Sequence, residues 1–112
     1  MYFLRECVGT ITVPSDYNTV YDKLLRKLEE MHFEVEMQNK NKGRIVIICL
    51  SNFFNMIMWK CWSEKLIFKL KETEKNRTRI DIIQVPNLFR IRVKKGEKLV
   101  DLDNLVSLLQ KP

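Results

Sequence analysis

Glycine, proline and cysteine each occur only three times in the 112 residues, and histidine once. The glycines (Gly9, Gly43, Gly96) stand too far apart to form a loop that cradles phosphate. So few prolines and glycines, with no low-complexity tract, leave no room for a long linker. Cys7, Cys49 and Cys61 are an odd number at wide spacing, which makes neither a disulfide framework nor a metal knuckle. They are expected as buried free thiols in a reducing compartment. His32 has no second histidine beside it, and general acid–base work needs a partner and a pocket. None of Ser15, Ser51, Ser63 and Ser107 lies in a nucleophile elbow. The longest uninterrupted apolar run, Ile45 to Leu50, falls far short of the about 20 residues that cross a bilayer. The start, Met1 to Glu6, lacks a basic stretch followed by an apolar one. These absences point away from an enzyme, a metal or cofactor site and a membrane protein. The expectation is a cytoplasmic, non-enzymatic chain.

The composition is that of an ordinary globular protein, with 46% hydrophobic and 30% charged residues. A chain of this length forms a single domain, 1–112, and buries roughly two thirds of its unfolded surface, enough for a core without disulfides or metal.

The clearest period runs over 16–31. Tyr17, Val20, Tyr21, Leu24, Leu28 and Met31 recur at steps of three and four, with Leu25 widening the stripe. That spacing predicts one apolar helix face, with Asp22, Lys23, Arg26, Lys27, Glu29 and Glu30 mostly opposite. Pro14 closes what precedes it, and Ser15 is the expected N-cap with Asp16 in the first turn. A broad apolar stripe needs a surface to lie on, and the rest of the chain reads mainly as strands.

Residues 3–13 alternate without a purely apolar face, as suits an edge strand, and Gly9 marks a bulge. In 33–38, Phe33, Val35 and Met37 are expected inward and Glu34, Glu36 and Gln38 outward. Asn39 to Gly43 is a polar turn. The run Ile45–Val46–Ile47–Ile48 then implies a central strand covered on both faces. Residues 64–72 alternate Leu66, Phe68 and Leu70 against Lys65, Lys69 and Lys71, with Ile67 among the latter. Glu72 to Asn76 reads as a charged turn. Thr78, Ile80 and Ile82 then alternate with Arg77, Arg79 and Asp81, and Phe89, Ile91 and Val93 with Arg90, Arg92 and Lys94. Asp101 can cap a short helix over about 101–110, on Leu102, Leu105, Val106 and Leu109. The expected fold is α+β. An antiparallel sheet of five or six strands is covered on one face by the 16–31 helix and the short C-terminal helix, in the order β-α-β(4–5)-α.

That order of elements resembles the TBP-like and helix-grip (Bet v1-like, START-like) families, in which a curved antiparallel sheet grips a C-terminal helix. The resemblance spans the chain but rests on order alone, without a shared residue motif. It implies a site for an apolar ligand between sheet and helix. The last helix here has under three turns, less roof than those families usually have.

Charge and aromatics supply the candidate sites. Residues 64–98 hold eleven Lys or Arg and five acids, so the whole net charge of +6 lies in that third of the chain. Lys65, Lys69, Arg79, Arg90, Arg92 and Lys94 share the strand parity opposite the core. They form either a phosphate-contacting face, without the aromatics that usually stack bases, or a solvated face that keeps the sheet soluble. The stretch 51–62 packs Phe53, Phe54, Met56, Met58, Trp59 and Trp62 around a single charge, Lys60. It reads as core, as a surface joining two copies of the chain, or as the wall of an apolar pocket. The resulting expectation is a binding or interaction module that holds an apolar small molecule or self-associates as a homodimer through 53–62. Nucleic-acid binding across residues 65–95 is the alternative.

Overall fold

The computed structural model describes residues 6–49, 64–85 and Ser107. It is an α+β fold: strand β1 (Glu6–Val13), helix α1 (Tyr17–Glu30), then β2 (Glu34–Asn39), β3 (Arg44–Ile48), β4 (Lys65–Glu74) and β5 (Arg77–Val85). The strands form one antiparallel sheet in the order β1-β5-β4-β3-β2. β2 to β5 are thus a meander, and β1 returns to pair with its last strand. The strand expected at 89–93, the helix expected over 101–110 apart from Ser107, and the aromatic stretch 51–62 lie outside the described residues.

The helix forms where its period places it, with Val20, Tyr21, Leu24 and Leu28 buried. Its N-cap is Asp16 rather than Ser15. Asp16 has extended backbone, and its carboxylate accepts the Thr19 N–H at 3.2 Å, so the cap falls one residue later than expected. These bonds hold the Asp16 carboxyl below its ordinary pKa. At the far end His32 takes a φ of 63°. Its N–H reaches Glu29 O at 3.0 Å, and the Phe33 N–H reaches Leu28 O at 3.1 Å. This is a Schellman closure with histidine where glycine is usual, sealed by the burial of both Leu28 and Phe33.

The core lies between α1 and one face of the sheet. Phe68, Leu24, Leu28, Ile45, Ile47, Leu66, Ile80 and Ile82 are essentially sealed from water. At about 25 cal/mol per Å² of apolar surface, such burial is the main favourable contribution to the fold. Burial presses the hydroxyls of Tyr17 and Tyr21 to raised pKa values. Thr78, also sealed, donates to the Ser15 carbonyl at 3.0 Å and ties β5 to the start of the helix. Gly43 ends the β2–β3 turn with a φ of 65°, and its carbonyl accepts the Leu70 N–H at 2.7 Å. A side chain there would collide with the Leu70 carbonyl and come within 2.8 Å of the Tyr17 hydroxyl. Glycine alone fits.

Two irregularities shape the sheet. The register of β1 shifts between Cys7 and Gly9, the bulge that Gly9 leads one to expect. The register of β2 shifts between Val35 and Met37. The extra residue turns Met37 away from the core, so it is 38% exposed instead of inward. Two further expectations are corrected. β4 continues through the charged residues to Glu74, which leaves only Lys75 and Asn76 as the turn. Cys49 is buried but Cys7 is exposed, because Cys7 lies on an edge strand beyond the bulge, and Cys61 lies outside the described residues.

Candidate binding face of the sheet

The face of the sheet turned away from α1 is built in rows, set by cross-strand register. One row runs Met37, Val46, Ile67, Ile83, Cys7 across all five strands, and none of its side chains is charged. Toward the turns the next row is Asn39, Arg44, Lys69, Asp81, Thr10. Beyond it Lys71 faces Arg79, which faces Thr12. On the other side lies Glu34, Ile48, Lys65, Val85. An apolar band therefore crosses the sheet between polar rows. Its centre is not a wetted surface: Val46 is 8% and Ile67 5% exposed although both point away from the helix. β3 is accordingly buried on both faces, as its unbroken apolar run implies, and Ile67 lies on the outer face of β4 among its lysines, as alternation implies.

A concavity of about 270 Å³ opens on this band. Met37, Val46, Ile67 and Val85 supply its apolar surface, and Arg44, Glu36, Glu64 and Lys65 its polar rim. Lys65 Nζ lies 2.8 Å from a Glu36 carboxylate oxygen, reaching across β3. Arg79 Nε lies 3.0 Å from Asp81 Oδ1. Two basic side chains of the face are thus neutralised locally. Arg44 and Lys69 are different. They stand directly opposite each other on neighbouring strands, and among the described residues neither makes an ion pair. Lys71 and Arg79 form a second directly opposed pair of like charge. Such pairs oppose sheet formation by about 0.2–1 kcal/mol each. Arg79 of the second pair is held by Asp81, so the part of the face suited to an anion is at Arg44 and Lys69.

Of the residues singled out in the sequence, Lys65, Lys69 and Arg79 lie together on this face, as their parity implies. Arg90, Arg92 and Lys94 lie outside the described residues, as do Phe53, Phe54, Met56, Met58, Trp59 and Trp62. The chain enters and leaves the described sheet at one end. Glu6, Cys49, Glu64 and Val85 are all there, with Cys49 N–H on Glu64 O at 3.0 Å and Glu64 N–H on Val85 O at 2.8 Å. Glu64, the first described residue after 50–63, lies on the rim of the concavity. Arg44 and the apolar band are new. Their parity is readable in the sequence, but their alignment with Lys69 and Ile67 depends on register, which no local pattern fixes.

Among the described residues there is no cluster of His, Cys, Asp and Glu suited to a metal ion, and no helix long and apolar enough to cross a membrane. A smaller concavity of about 80 Å³ lies between α1 and the β1 side of the sheet, lined by Val13, Thr19, Val20, Leu24 and Ile80 among others. No protein-family model matches the chain, and no curated protein matches it.

Proposed function

We propose that the chain is a small, non-enzymatic, cytoplasmic binding module that holds an apolar molecule carrying an acidic group on the face of its sheet turned away from α1. The observation that carries this reading is the concavity itself. Its floor is Val46 and Ile67, and at one end Arg44 stands against Lys69, neither of them in an ion pair among the described residues. An apolar body on that floor removes hydrocarbon from water, and an acidic head beside Arg44 and Lys69 relieves their repulsion, with Asp81 opposite Lys69 on the next strand. The resemblance to helix-grip proteins supports the same class. That resemblance rests on the order of elements in the sequence. The reading extends to Phe53, Phe54, Met56, Met58, Trp59 and Trp62, which precede the rim residue Glu64 in the sequence.

The test uses anilinonaphthalene sulfonate, an apolar anion whose fluorescence rises on leaving water. The purified chain binds it at the face, and Arg44→Glu weakens binding at least about tenfold. This substitution turns the Arg44–Lys69 pair into one of opposite charge, so the fold should persist. Equal binding by both proteins would remove the reading. A nucleic-acid interface is the second reading, favoured by the Lys71–Arg79 pair beside Arg44 and Lys69. It requires oligonucleotide affinity that falls steeply with salt and is weakened by Arg79→Ala.

A further inference from the structure

The two edges of the sheet are treated differently. β2, at one edge, is six residues long and interrupted by a bulge. It also carries Glu34 and Glu36, the latter paired with Lys65. Short length, charge and a bulge are the usual means of keeping another strand away. β1, at the opposite edge, has beyond its bulge at Gly9 only one charged residue, Glu6 at its start. It is eight residues long, and no charged side chain occurs from Cys7 to Val13. Thr10, Ile11, Thr12 and Val13 are residues that favour strands. Among the described residues it pairs with β5 alone, so alternate N–H and C=O groups point away from the sheet. The helix does not shelter this edge, because it packs chiefly over β4, β2 and β5. What lies beside Val13 instead is a recess of about 80 Å³ lined by Val20, Leu24 and Ile80 together with Ser15, Thr19 and Lys23.

We infer that β1 is an association edge, and that it takes β1 of a second copy of this chain in antiparallel pairing, making one continuous sheet of two molecules. The choice of occupant follows from charge. The chain carries a net +6, so two copies repel unless they meet where neither is charged. The segment from Cys7 to Val13 provides that place on both partners at once, as a two-fold interface requires. With the axis at Ile11, Thr10 of each copy faces Thr12 of the other on the side turned away from α1. There both threonines are exposed. On the helix side Ile11 meets its own equivalent, and Val13 of each copy lies at the recess beside α1. Threonine pairs and β-branched pairs in these positions are favourable cross-strand contacts. The inference uses the edge, not the face, and stands independently of the ligand reading.

The test combines native mass spectrometry with hydrogen exchange. As the concentration of the wild-type chain rises from about 1 to about 100 μM, a dimer mass should appear, the range expected for an interface of this modest size. Over the same range the outward-pointing amides of β1 should slow, while those bonded to β5 stay protected throughout. The double substitution Thr10→Lys, Thr12→Lys places like charges opposite each other across the axis. It should lower dimer affinity at least about tenfold and leave the fold in place, since Thr10→Lys puts its ammonium beside Asp81 and so offsets the like charge that Thr12→Lys sets opposite Arg79, with circular dichroism of the variant checking the fold. A dimer that survives both substitutions would overturn the inference and move the interface elsewhere, with Phe53–Trp62 next to test. A wild-type chain that stays monomeric would also overturn it. Free exchange of the outward amides in that monomer would mean an idle edge. Their protection at every concentration would mean that another stretch of the same chain covers it.

Discussion

Replacing Gly43 by alanine should damage this fold more than any other single-methyl addition among the described residues, and the size of the effect can be worked out. The backbone at Gly43 has a φ of 65°, which disfavours an L side chain by about 1–2 kcal/mol. The new Cβ would also meet the Leu70 carbonyl and lie 2.8 Å from the Tyr17 hydroxyl. The carbonyl belongs to β4 and cannot swing aside, so the turn must move. That movement strains the 2.7 Å bond from Leu70 N–H to Gly43 O, and a lost bond of this kind costs about 0.5–1.5 kcal/mol. The expected total is about 2–4 kcal/mol, or a fall in Tm of about 10 °C or more. Thermal and urea unfolding followed by circular dichroism would measure it. Asn41→Ala, an exposed change in the same turn, should stay within about 0.5 kcal/mol. Tyr17→Phe removes one of the obstructing atoms, so the double mutant should be less than additive. A loss below about 1 kcal/mol for Gly43→Ala would refute both the left-handed backbone and the close approach of β4.

Phe68→Ala, at a ring sealed between helix and sheet, should cost about 3–5 kcal/mol in urea unfolding. Lys71→Glu should raise stability by about 0.2–1 kcal/mol, because it converts the directly opposed Lys71–Arg79 pair into one of opposite charge. Asp16→Ala should destabilise the chain at neutral pH. The Asp16 carboxyl is held below its ordinary pKa of 3.8 mainly by the bonds from Thr19, so its contribution is complete above that value. As pH falls through the lowered folded-state value the carboxylate protonates and the contribution disappears. Unfolding curves of the wild type and Asp16→Ala should therefore converge in acid and diverge as pH rises toward the ordinary carboxylate value.

Much of this architecture is legible in single segments. The spacing from Tyr17 to Leu28 finds the helix, because a buried stripe must repeat with the helical period. The alternation of Leu66, Phe68, Leu70 and of Thr78, Ile80, Ile82 finds which sides of β4 and β5 face the core. The unbroken Ile45–Ile48 run marks a strand buried on both sides. What escapes is whatever depends on a second segment. Strict alternation over 33–38 sends Met37 inward, yet pairing with β3 inserts Glu36 as an extra residue and turns Met37 out. Ser15 and Asp16 are both good caps, and only the path of the chain from β1 decides between them. The charged end of β4 looks like a turn until Arg77 and Arg79 pair with it. The candidate site shows the same divide. The parity of Lys65, Lys69 and Arg79 is readable, whereas the apposition of Arg44 with Lys69 and of Val46 with Ile67 exists only once β3 and β4 are in register.

The most direct test of the binding face is an amide chemical-shift map of the chain during titration with anilinonaphthalene sulfonate. The account predicts that the largest shifts fall on Arg44, Val46, Ile67 and Lys69, with little change at Thr19, Leu24 and Ile80 on the helix side. Shifts centred on those helix-side residues, or none on the row from Met37 to Ile83, would contradict it.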